Sequence, residues 1–250
     1  MDLLKTIVIF SLVVISMLIV TPFGLAALLL SLLGLKRPMR YATYRIAQAW
    51  ALVVLVLSGC SLTVTGAENI PRRGGFCLAG NHNSIFDIVL LLAAVGRPFG
   101  FIAKKELAVF PLLNIWILML GGLFIDRKSI RKAVGVINEG VRRIKKGGAM
   151  LIFPEGTRSK GRGLLPFKGG ALKLATKASA PIVPLAMTGS YEVFEKDRRV
   201  RPGPVSVRFA PPVLTAGISA EETRDGLADQ VYGIINGMLE DAGGSVSAVE

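Results

Sequence analysis

The chain has few of the residues on which several classes of site depend. Its 250 residues include one histidine and two cysteines, and aromatic residues make up 7%. Cys60 and Cys77 lie in apolar stretches without the spacing of metal ligands, so we expect buried free thiols and no metal site. Aromatic residues that could stack on bases are few, and no RNP, zinc-finger or helix-turn-helix pattern is present. The sequence therefore predicts no nucleic acid partner.

Acidic residues are also scarce. Lysine and arginine number 30 against 17 aspartate and glutamate residues, which gives a formal net charge of +13. An excess of this sign attracts anionic lipid surfaces, phosphorylated substrates or nucleic acids. Because the mean hydropathy is positive and the N-terminus is apolar, the composition favours an anionic membrane surface as the partner.

The N-terminal region lacks charge over a long run, from Thr6 to Leu35. This is enough to cross a bilayer at roughly 20 residues per crossing. The sequence Thr21-Pro22-Phe23-Gly24 is expected to interrupt the run, and a second apolar run, 46–59, follows a basic stretch. Two arrangements remain open, namely one long tilted span or a hairpin of shorter helices inserted into a single leaflet. The basic stretch is expected to keep the remainder of the chain on the cytoplasmic side.

After Gly59, short apolar runs alternate with helical patterns, which predicts an α/β fold with a mixed central sheet flanked by helices. Strands are predicted at Leu62–Thr65, Gly75–Ala79, Phe99–Ala103, Leu123–Asp126, Ala149–Phe153, Ile182–Met187 and Val205–Phe209. Helices are predicted at Ile85–Val95, Ser129–Lys146, Lys168–Ala178 and Ala220–Leu239, with Ser129 as the N-cap of the second. We divide the chain into a membrane-embedded helical segment (1–60), an α/β domain (61–241) and a flexible tail (242–250).

The one histidine, His82, lies in the turn between a predicted strand and a predicted helix, and Asp87 follows five residues later. Imidazole has an unperturbed pKa of roughly 6.5 and accepts protons near neutral pH. A lone histidine is more often structural than catalytic, and an aspartate at this offset is weak support by itself. However, α/β proteins present their chemistry at such turns, and Asn83 or Ser84 is available as the helix N-cap. The position favours His82 as a base whose second ring nitrogen is held by Asp87.

Basic residues follow three further predicted strands. Lys105, Arg127 and Arg158 come directly after or just beyond these strands. A guanidinium group binds phosphate through two parallel hydrogen bonds, so cations at neighbouring strand ends predict a phosphate site. The alternative for each residue is an ordinary solvated surface charge.

Four sequence blocks resemble those of the lysophospholipid and glycerophosphate acyltransferases, in particular the bacterial 1-acyl-glycerol-3-phosphate acyltransferases. The block Asn-His-x4-Asp matches Asn81-His82 and Asp87, and Gly-x-x-Phe-Ile-x-Arg matches residues 121–127. Phe-Pro-Glu-Gly-Thr-Arg-Ser, the most specific of the four, is complete at residues 153–159. An apolar strand that ends in proline corresponds to residues 182–184.

The resemblance implies transfer of a fatty acyl group from acyl-CoA or acyl-carrier protein to the sn-2 hydroxyl of lysophosphatidic acid, which gives phosphatidic acid. It implies His82 as the base, Asp87 as its orienting partner, and no cofactor besides the acyl donor. It also implies a place on the cytoplasmic face of the bacterial cytoplasmic membrane. The residues expected to bind the phosphate and glycerol are Lys105, Arg127, Glu155, Gly156, Thr157 and Arg158.

Two further expectations concern Glu155 and the groups that stabilise the oxyanion. Glu155 would repel a phosphate, so we expect its carboxylate to orient an arginine or to accept a hydrogen bond from a glycerol hydroxyl. Backbone N–H groups near Gly156, or at the helix start after His82, are expected to stabilise the oxyanion.

Three alternatives remain open. The chain could be an acyltransferase that acts on another lysolipid or on an ornithine-type acceptor. It could be a hydrolase in which water replaces the acceptor. It could also be a non-catalytic basic membrane adaptor, although that would leave the His82–Asp87 pair and the block at residues 153–159 without a role.

Overall fold

The computed structural model describes residues 2–126, 129–168, 170–218 and 226–243. An N-terminal helical hairpin packs against an α/β body. Helix α1 (Asp2–Leu32) and helix α2 (Lys36–Leu57) are joined by a three-residue turn. Among the described residues, one helix is long and apolar enough to cross a membrane, at Leu3–Leu32.

Helix α1 continues through Pro22, so the expected interruption at this point is wrong. Proline removes one helical hydrogen bond, but this part of α1 is braced from outside. The Trp116 indole N–H donates to the Thr21 hydroxyl over 2.9 Å, and the Thr21 hydroxyl donates to the Met17 carbonyl over 2.7 Å. These contacts hold the helix in register across the proline.

The body is built on one seven-stranded sheet with the order β1-β7-β6-β2-β5-β3-β4. Strands β6, β2, β5, β3 and β4 run parallel, whereas β7 is antiparallel to β6 and β1 is parallel to β7. The strands are β1 (Cys60–Thr65), β2 (Phe76–Gly80), β3 (Phe99–Lys104), β4 (Leu123–Ile125), β5 (Ala149–Ile152), β6 (Ile182–Thr188) and β7 (Gly203–Phe209).

Helices cover both faces of the sheet. They are α3 (Asp87–Ala94), α4 (Leu113–Met119), α5 (Ile130–Lys145), α6 (Lys173–Thr176), α7 (Ser190–Val193) and α8 (Gly226–Asp241), with short 3-10 turns at Ala67–Asn69 and Lys105–Val109. On one face, α2, α3 and α4 enclose a core around Phe76, Leu78 and Phe99. On the other, α6 and α8 enclose a core around Met150 and Ile182. Strands buried on both faces explain the continuous apolar runs seen in the sequence.

The mixed sheet and all seven predicted strands are confirmed, with bounds that differ by one or two residues. The predicted helix at Lys168–Ala178 contains only the four-residue α6, and the predicted helix at Ala220–Leu239 begins outside the described residues. Ser129 caps α5 as predicted, because its side chain accepts the Lys132 N–H. Both cysteines are free thiols, but only Cys77 is fully buried.

Candidate active site

The candidate site lies at the edge of the sheet where the parallel strands end. Because β6, β2, β5, β3 and β4 run in one direction, the residues that follow them meet at the same edge. His82 follows β2, Glu155 and Arg158 follow the neighbouring β5, and Lys105 follows β3. The topology therefore brings most of the predicted site residues to this edge.

His82 and Asp87 form a direct pair. The His82 Nδ1 lies 2.7 Å from Asp87 Oδ2, and Asp87 is completely buried. The same carboxylate oxygen accepts the backbone N–H groups of Asn83 at 2.8 Å and Ser84 at 3.0 Å. These bonds fix the carboxylate beside Nδ1. When Nδ1–H donates to Asp87, Nε2 is the ring nitrogen left as the acceptor.

The helix after His82 begins later than its sequence indicates. Helix α3 begins at Asp87, and Phe86, without a capping side chain, occupies the N-cap position. The expectation of Asn83 or Ser84 as the N-cap is therefore wrong. The turn instead folds around the Asp87 carboxylate, which accepts two N–H groups ahead of the helix, while the Ser84 hydroxyl accepts the Phe86 N–H over 3.0 Å.

The His82 ring stacks on the ring of Phe153, with centroids 4.0 Å apart and planes 9° from parallel. The side chain remains 20% exposed, so a substrate can reach it. Ser159 donates its N–H to the His82 carbonyl over 2.7 Å, and its hydroxyl lies 2.6 Å from the Asn83 Oδ1. The turn after β5 thus fixes both the ring and the backbone of the histidine.

Glu155 has a different position from the expected one. It is 1% exposed, and its two oxygens accept the backbone N–H groups of His82 at 2.6 Å and Leu165 at 3.0 Å. Burial, reinforced by the charge of Asp87, raises the pKa of this carboxyl to about 7 against the two hydrogen bonds that lower it. The carboxylate thus holds two loops together through backbone N–H groups, whereas the sequence predicted a bond to an arginine or to a glycerol hydroxyl.

Gly156, Thr157 and Arg158 form the turn beyond Glu155. Gly156 has a φ of +70°, which a residue with a side chain adopts only at a cost. Its N–H donates to the Phe153 carbonyl over 2.9 Å. The N–H groups of Asn83 and Ser84 are held by Asp87, so these two and the Gly156 N–H already have acceptors within the protein.

Arg158 forms an ion pair with Glu195, whose side chain is mostly buried. The same carboxylate oxygen accepts the Ile85 N–H at 3.3 Å, and its other oxygen is buried without a hydrogen bond. Glu195 therefore links the arginine to the turn that carries His82. Sequence reasoning missed this residue, because it lies beyond the fourth block in a stretch that alternates acids and bases.

Lys105 and Arg127 were predicted to lie beside Arg158. Lys105 begins the 3-10 turn after β3, and its Nζ lies 2.7 Å from the Asp126 Oδ2 at the end of β4. Arg127 lies outside the described residues.

Asn81 closes the other side of the site. Its side chain donates to the Met187 carbonyl over 2.9 Å and accepts the Met187 N–H over 2.8 Å. This pair of bonds joins the end of β2 to β6, the strand that contains the fourth block. The first residue of the Asn-His pair is therefore a structural clamp.

The acyltransferase family model matches residues 61–188, which is more than half of the chain and includes all four sequence blocks. This chain belongs to the acyltransferase family. The matched region contains the buried Asp87, the partly exposed His82 and the turn that holds them.

Relatives of this acyltransferase carry more specific names. A 1-acyl-sn-glycerol-3-phosphate acyltransferase from Borreliella burgdorferi is 33% identical over 145 residues, or 58% of each chain. The human 1-acyl-sn-glycerol-3-phosphate acyltransferase alpha is 34% identical over 190 residues, 75% of this chain and 66% of that one. The chain thus spans about 58% to 66% of the length of these two curated relatives.

The fold has also been observed in a solved structure. The crystal structure of the 1-acyl-sn-glycerophosphate acyltransferase from Thermotoga maritima superimposes with a TM-score of 0.80 at 27% identity. The match covers 99% of this chain and 100% of that chain, so it includes the N-terminal hairpin as well as the sheet.

Proposed function

We propose that this acyltransferase transfers a fatty acyl group from acyl-CoA or acyl-carrier protein to the sn-2 hydroxyl of 1-acyl-glycerol-3-phosphate, with phosphatidic acid as the product. The observation that carries the proposal is the His82–Asp87 pair, set one strand away from Arg158 at the same edge of the sheet. The names of the relatives support this choice of acceptor.

The chemistry proposed for His82 is general base catalysis. As the acceptor oxygen attacks the thioester carbonyl carbon, Nε2 takes the hydroxyl proton, and Asp87 stabilises the imidazolium through Nδ1–H. The tetrahedral intermediate then breaks its carbon–sulfur bond, and the imidazolium returns the proton to the departing thiolate. Stacking on Phe153 keeps the ring plane fixed through both steps.

The phosphate of the acceptor is proposed to bind the cations at the same edge. Arg158 offers a guanidinium whose present partner, Glu195, is a protein carboxylate of the same charge sign as phosphate. Lys105 lies two strands from His82 in the sheet order, which suits a ligand that reaches from its hydroxyl to its phosphate. The acyl donor is a co-substrate, and the proposed steps need no further cofactor.

The N-terminal hairpin is proposed to insert into one leaflet on the cytoplasmic face of the bacterial cytoplasmic membrane. Contacts along α1 support this arrangement over a crossing helix. Thr6 accepts the Val200 N–H at 3.0 Å, and Ser16 accepts the Trp50 indole N–H at 3.1 Å. The Ser16–Trp50 bond lies within the hairpin, whereas Thr6 bonds to Val200 and Thr21 to Trp116 of the body, so α1 is held against the body for about 22 Å at 1.5 Å per residue. A helix perpendicular to the membrane would have to break these contacts or draw the body into the bilayer.

The proposal is tested with the purified full chain in detergent. With 1-acyl-glycerol-3-phosphate and labelled acyl-CoA or acyl-carrier protein, we expect labelled phosphatidic acid. His82→Ala should lower kcat by at least ~10²-fold, the lower range for a general base. Arg208→Ala, which alters an exposed arginine paired with Asp241 elsewhere, is the control and should leave kcat unchanged. Acylation of another lysolipid but not of this acceptor would overturn the proposed substrate.

A further inference from the structure

Exposed apolar side chains of the body are concentrated in one short segment. Beyond the hairpin, half of the described large apolar residues that are well exposed lie between β3 and β4. They are Val109, Phe110, Leu113 and Leu118, which we call the β3–β4 patch. Val109 is 77% exposed and Phe110 is 54% exposed. Apolar clusters of this kind on a protein surface mark sites of contact with a partner or a membrane.

The patch is continuous with the apolar surface of α1. Helix α4, which contains Leu113 and Leu118, packs its Trp116 and Met119 side chains against α1 at Gly24. Phe23, the residue before Gly24 on α1, is 63% exposed. Helix α4 therefore joins the patch to the apolar hairpin.

The patch also lies beside the candidate active site. The 3-10 turn that ends at Val109 begins at Lys105, directly after β3 reaches the edge of the sheet that holds His82. The two lysines at this point are paired with carboxylates, Lys104 with Glu106 at 3.5 Å and Lys105 with Asp126 at 2.7 Å. The exposed apolar side chains, rather than these paired lysines, are therefore the groups that would contact a partner here.

We propose that the β3–β4 patch is a second membrane contact, in which Val109 and Phe110 enter the acyl-chain region of the leaflet beside the mouth of the site. The inference rests on the proposed function, since it assigns the patch to the transfer of the lysolipid between bilayer and site. The hairpin holds the chain on the membrane, and the patch sets the orientation in which the edge with His82 faces the lipid. A lysolipid then moves to Lys105 and Arg158 without exposing its acyl chain to water.

A depth measurement tests the contact directly. In a chain with Cys60→Ala and Cys77→Ala, Phe110→Cys is labelled with an environment-sensitive dye and bound to phosphatidylglycerol–phosphatidylcholine vesicles. We expect a blue-shifted emission that is quenched by lipids brominated on their acyl chains. Leu214→Cys is the matched control, because Leu214 is 75% exposed but follows Val213 beside the start of β6, at the opposite edge. Its label should remain in water.

An activity measurement separates this inference from the proposed function. Val109→Ser combined with Phe110→Ser should lower kcat/KM about tenfold for long-chain lysophosphatidic acid in vesicles. With a short-chain, monomeric lysophosphatidic acid it should leave kcat/KM unchanged, because that substrate reaches the site from solution. A wild-type chain without activity on either substrate would overturn the proposed function rather than the membrane contact.

Two results would overturn the membrane contact itself. One is a dye at position 110 whose emission shows that it stays in water when the protein is bound to vesicles, together with a double variant whose kcat/KM changes equally for the two substrates. The other is a label that is shielded without lipid and only at high protein concentration, which would assign the patch to a second copy of the chain.

Discussion

At the scale of single residues, His82 is held through both its ring and its backbone. Asp87 binds Nδ1, Phe153 covers one ring face, and Ser159 and Glu155 bind the backbone carbonyl and N–H. Each of these contacts comes from a different part of the turn regions after β2 and β5. The ring is therefore held in place with Nε2 as its available nitrogen, which is the preorganisation that base catalysis requires.

Glu155 makes the stability of this acyltransferase depend on pH. Its folded pKa of about 7 lies above the value of about 4.3 in an unfolded chain, so the folded state retains a proton between these values. The contribution of this group is fully present below about pH 4.3 and is lost as the pH rises through 7. Glu155→Gln removes the titration, so the wild type should lose about 3 kcal/mol of stability relative to the variant between pH 5 and pH 8.

Urea unfolding of both proteins in detergent, followed by tryptophan fluorescence at each pH, measures this difference. All other titrating groups are common to the two chains and cancel. Parallel stability curves between pH 5 and pH 8 would show that the carboxyl is ionised throughout.

Glu195 is expected to position Arg158 for the phosphate. Glu195→Gln keeps the shape and an acceptor for the Ile85 N–H but removes the charge that holds the guanidinium. The KM for lysophosphatidic acid should rise roughly tenfold with little change in kcat, because His82 keeps its contacts. Steady-state kinetics at saturating donor distinguish the two parameters. A lower KM would instead make Glu195 a competitor of the phosphate.

At the scale of elements, the contact between α1 and α4 determines how the hairpin sits on the body. At Gly24 an added Cβ would lie 3.0 Å from the Met119 Cε and 3.2 Å from the Trp116 Cη2. Only glycine allows the helices to approach this closely without displacing a side chain.

Gly24→Leu should therefore lower the free energy of unfolding by about 1–3 kcal/mol, the usual range for an overfilled contact. Gly135→Leu is the control, since an added Cβ on this exposed position of α5 meets nothing within 4 Å. It should be neutral or stabilising by up to about 1 kcal/mol through helix propensity. Thermal unfolding in detergent, followed by the emission of the two tryptophans, measures both. Equal midpoints for the two variants would show that α1 is not held at Gly24.

The strands were predictable from the sequence because each is a short apolar run bounded by turns or glycines. Helix α4 was not, because its residues Leu113–Met119 form an apolar stretch without a polar face. Helix α6 is shorter than its pattern. The N–H groups of Gly170 and Ala171 bond to the Lys168 carbonyl in tight turns, so the helix begins only after them. Periodicity describes an isolated element, whereas these bounds depend on what packs against it.

The candidate site was predictable to a similar degree. The pairing of His82 with Asp87 follows from local spacing, and the structure confirms that the two side chains touch. The contacts of Glu155 with His82 and Leu165 join positions 73 and 10 residues apart, and no local pattern indicates them. The ion pair of Arg158 with Glu195 joins positions 37 residues apart, so no local pattern indicates it either.

At the scale of the whole molecule, the formal charge of +13 and the apolar hairpin are expected to act at different stages of membrane binding. Charge acts over a Debye length of about 10 Å at 0.1 M salt and speeds the approach to an anionic surface. The apolar surface acts only on contact and resists dissociation.

The association rate with vesicles that contain phosphatidylglycerol should therefore fall about tenfold between 0.05 M and 0.5 M salt. With uncharged phosphatidylcholine vesicles the rate should stay constant, and the dissociation rate should be nearly independent of salt in both cases. Stopped-flow energy transfer from the tryptophans to a labelled lipid measures these rates. An association rate that does not change with salt concentration would show that the net charge does not contribute to the association with the membrane.

The stacking of His82 on Phe153 has a spectroscopic consequence. Because the chain has one imidazole, every histidine side-chain resonance in a magnetic resonance spectrum belongs to the catalytic candidate, and isotope labelling of histidine alone gives an assigned probe. The ring current of Phe153, 4.0 Å away, displaces these signals from those of a freely tumbling imidazole. The unaltered protein thus carries its own reporter, which registers donor, acceptor and lipid at the atom where acyl transfer is proposed to begin.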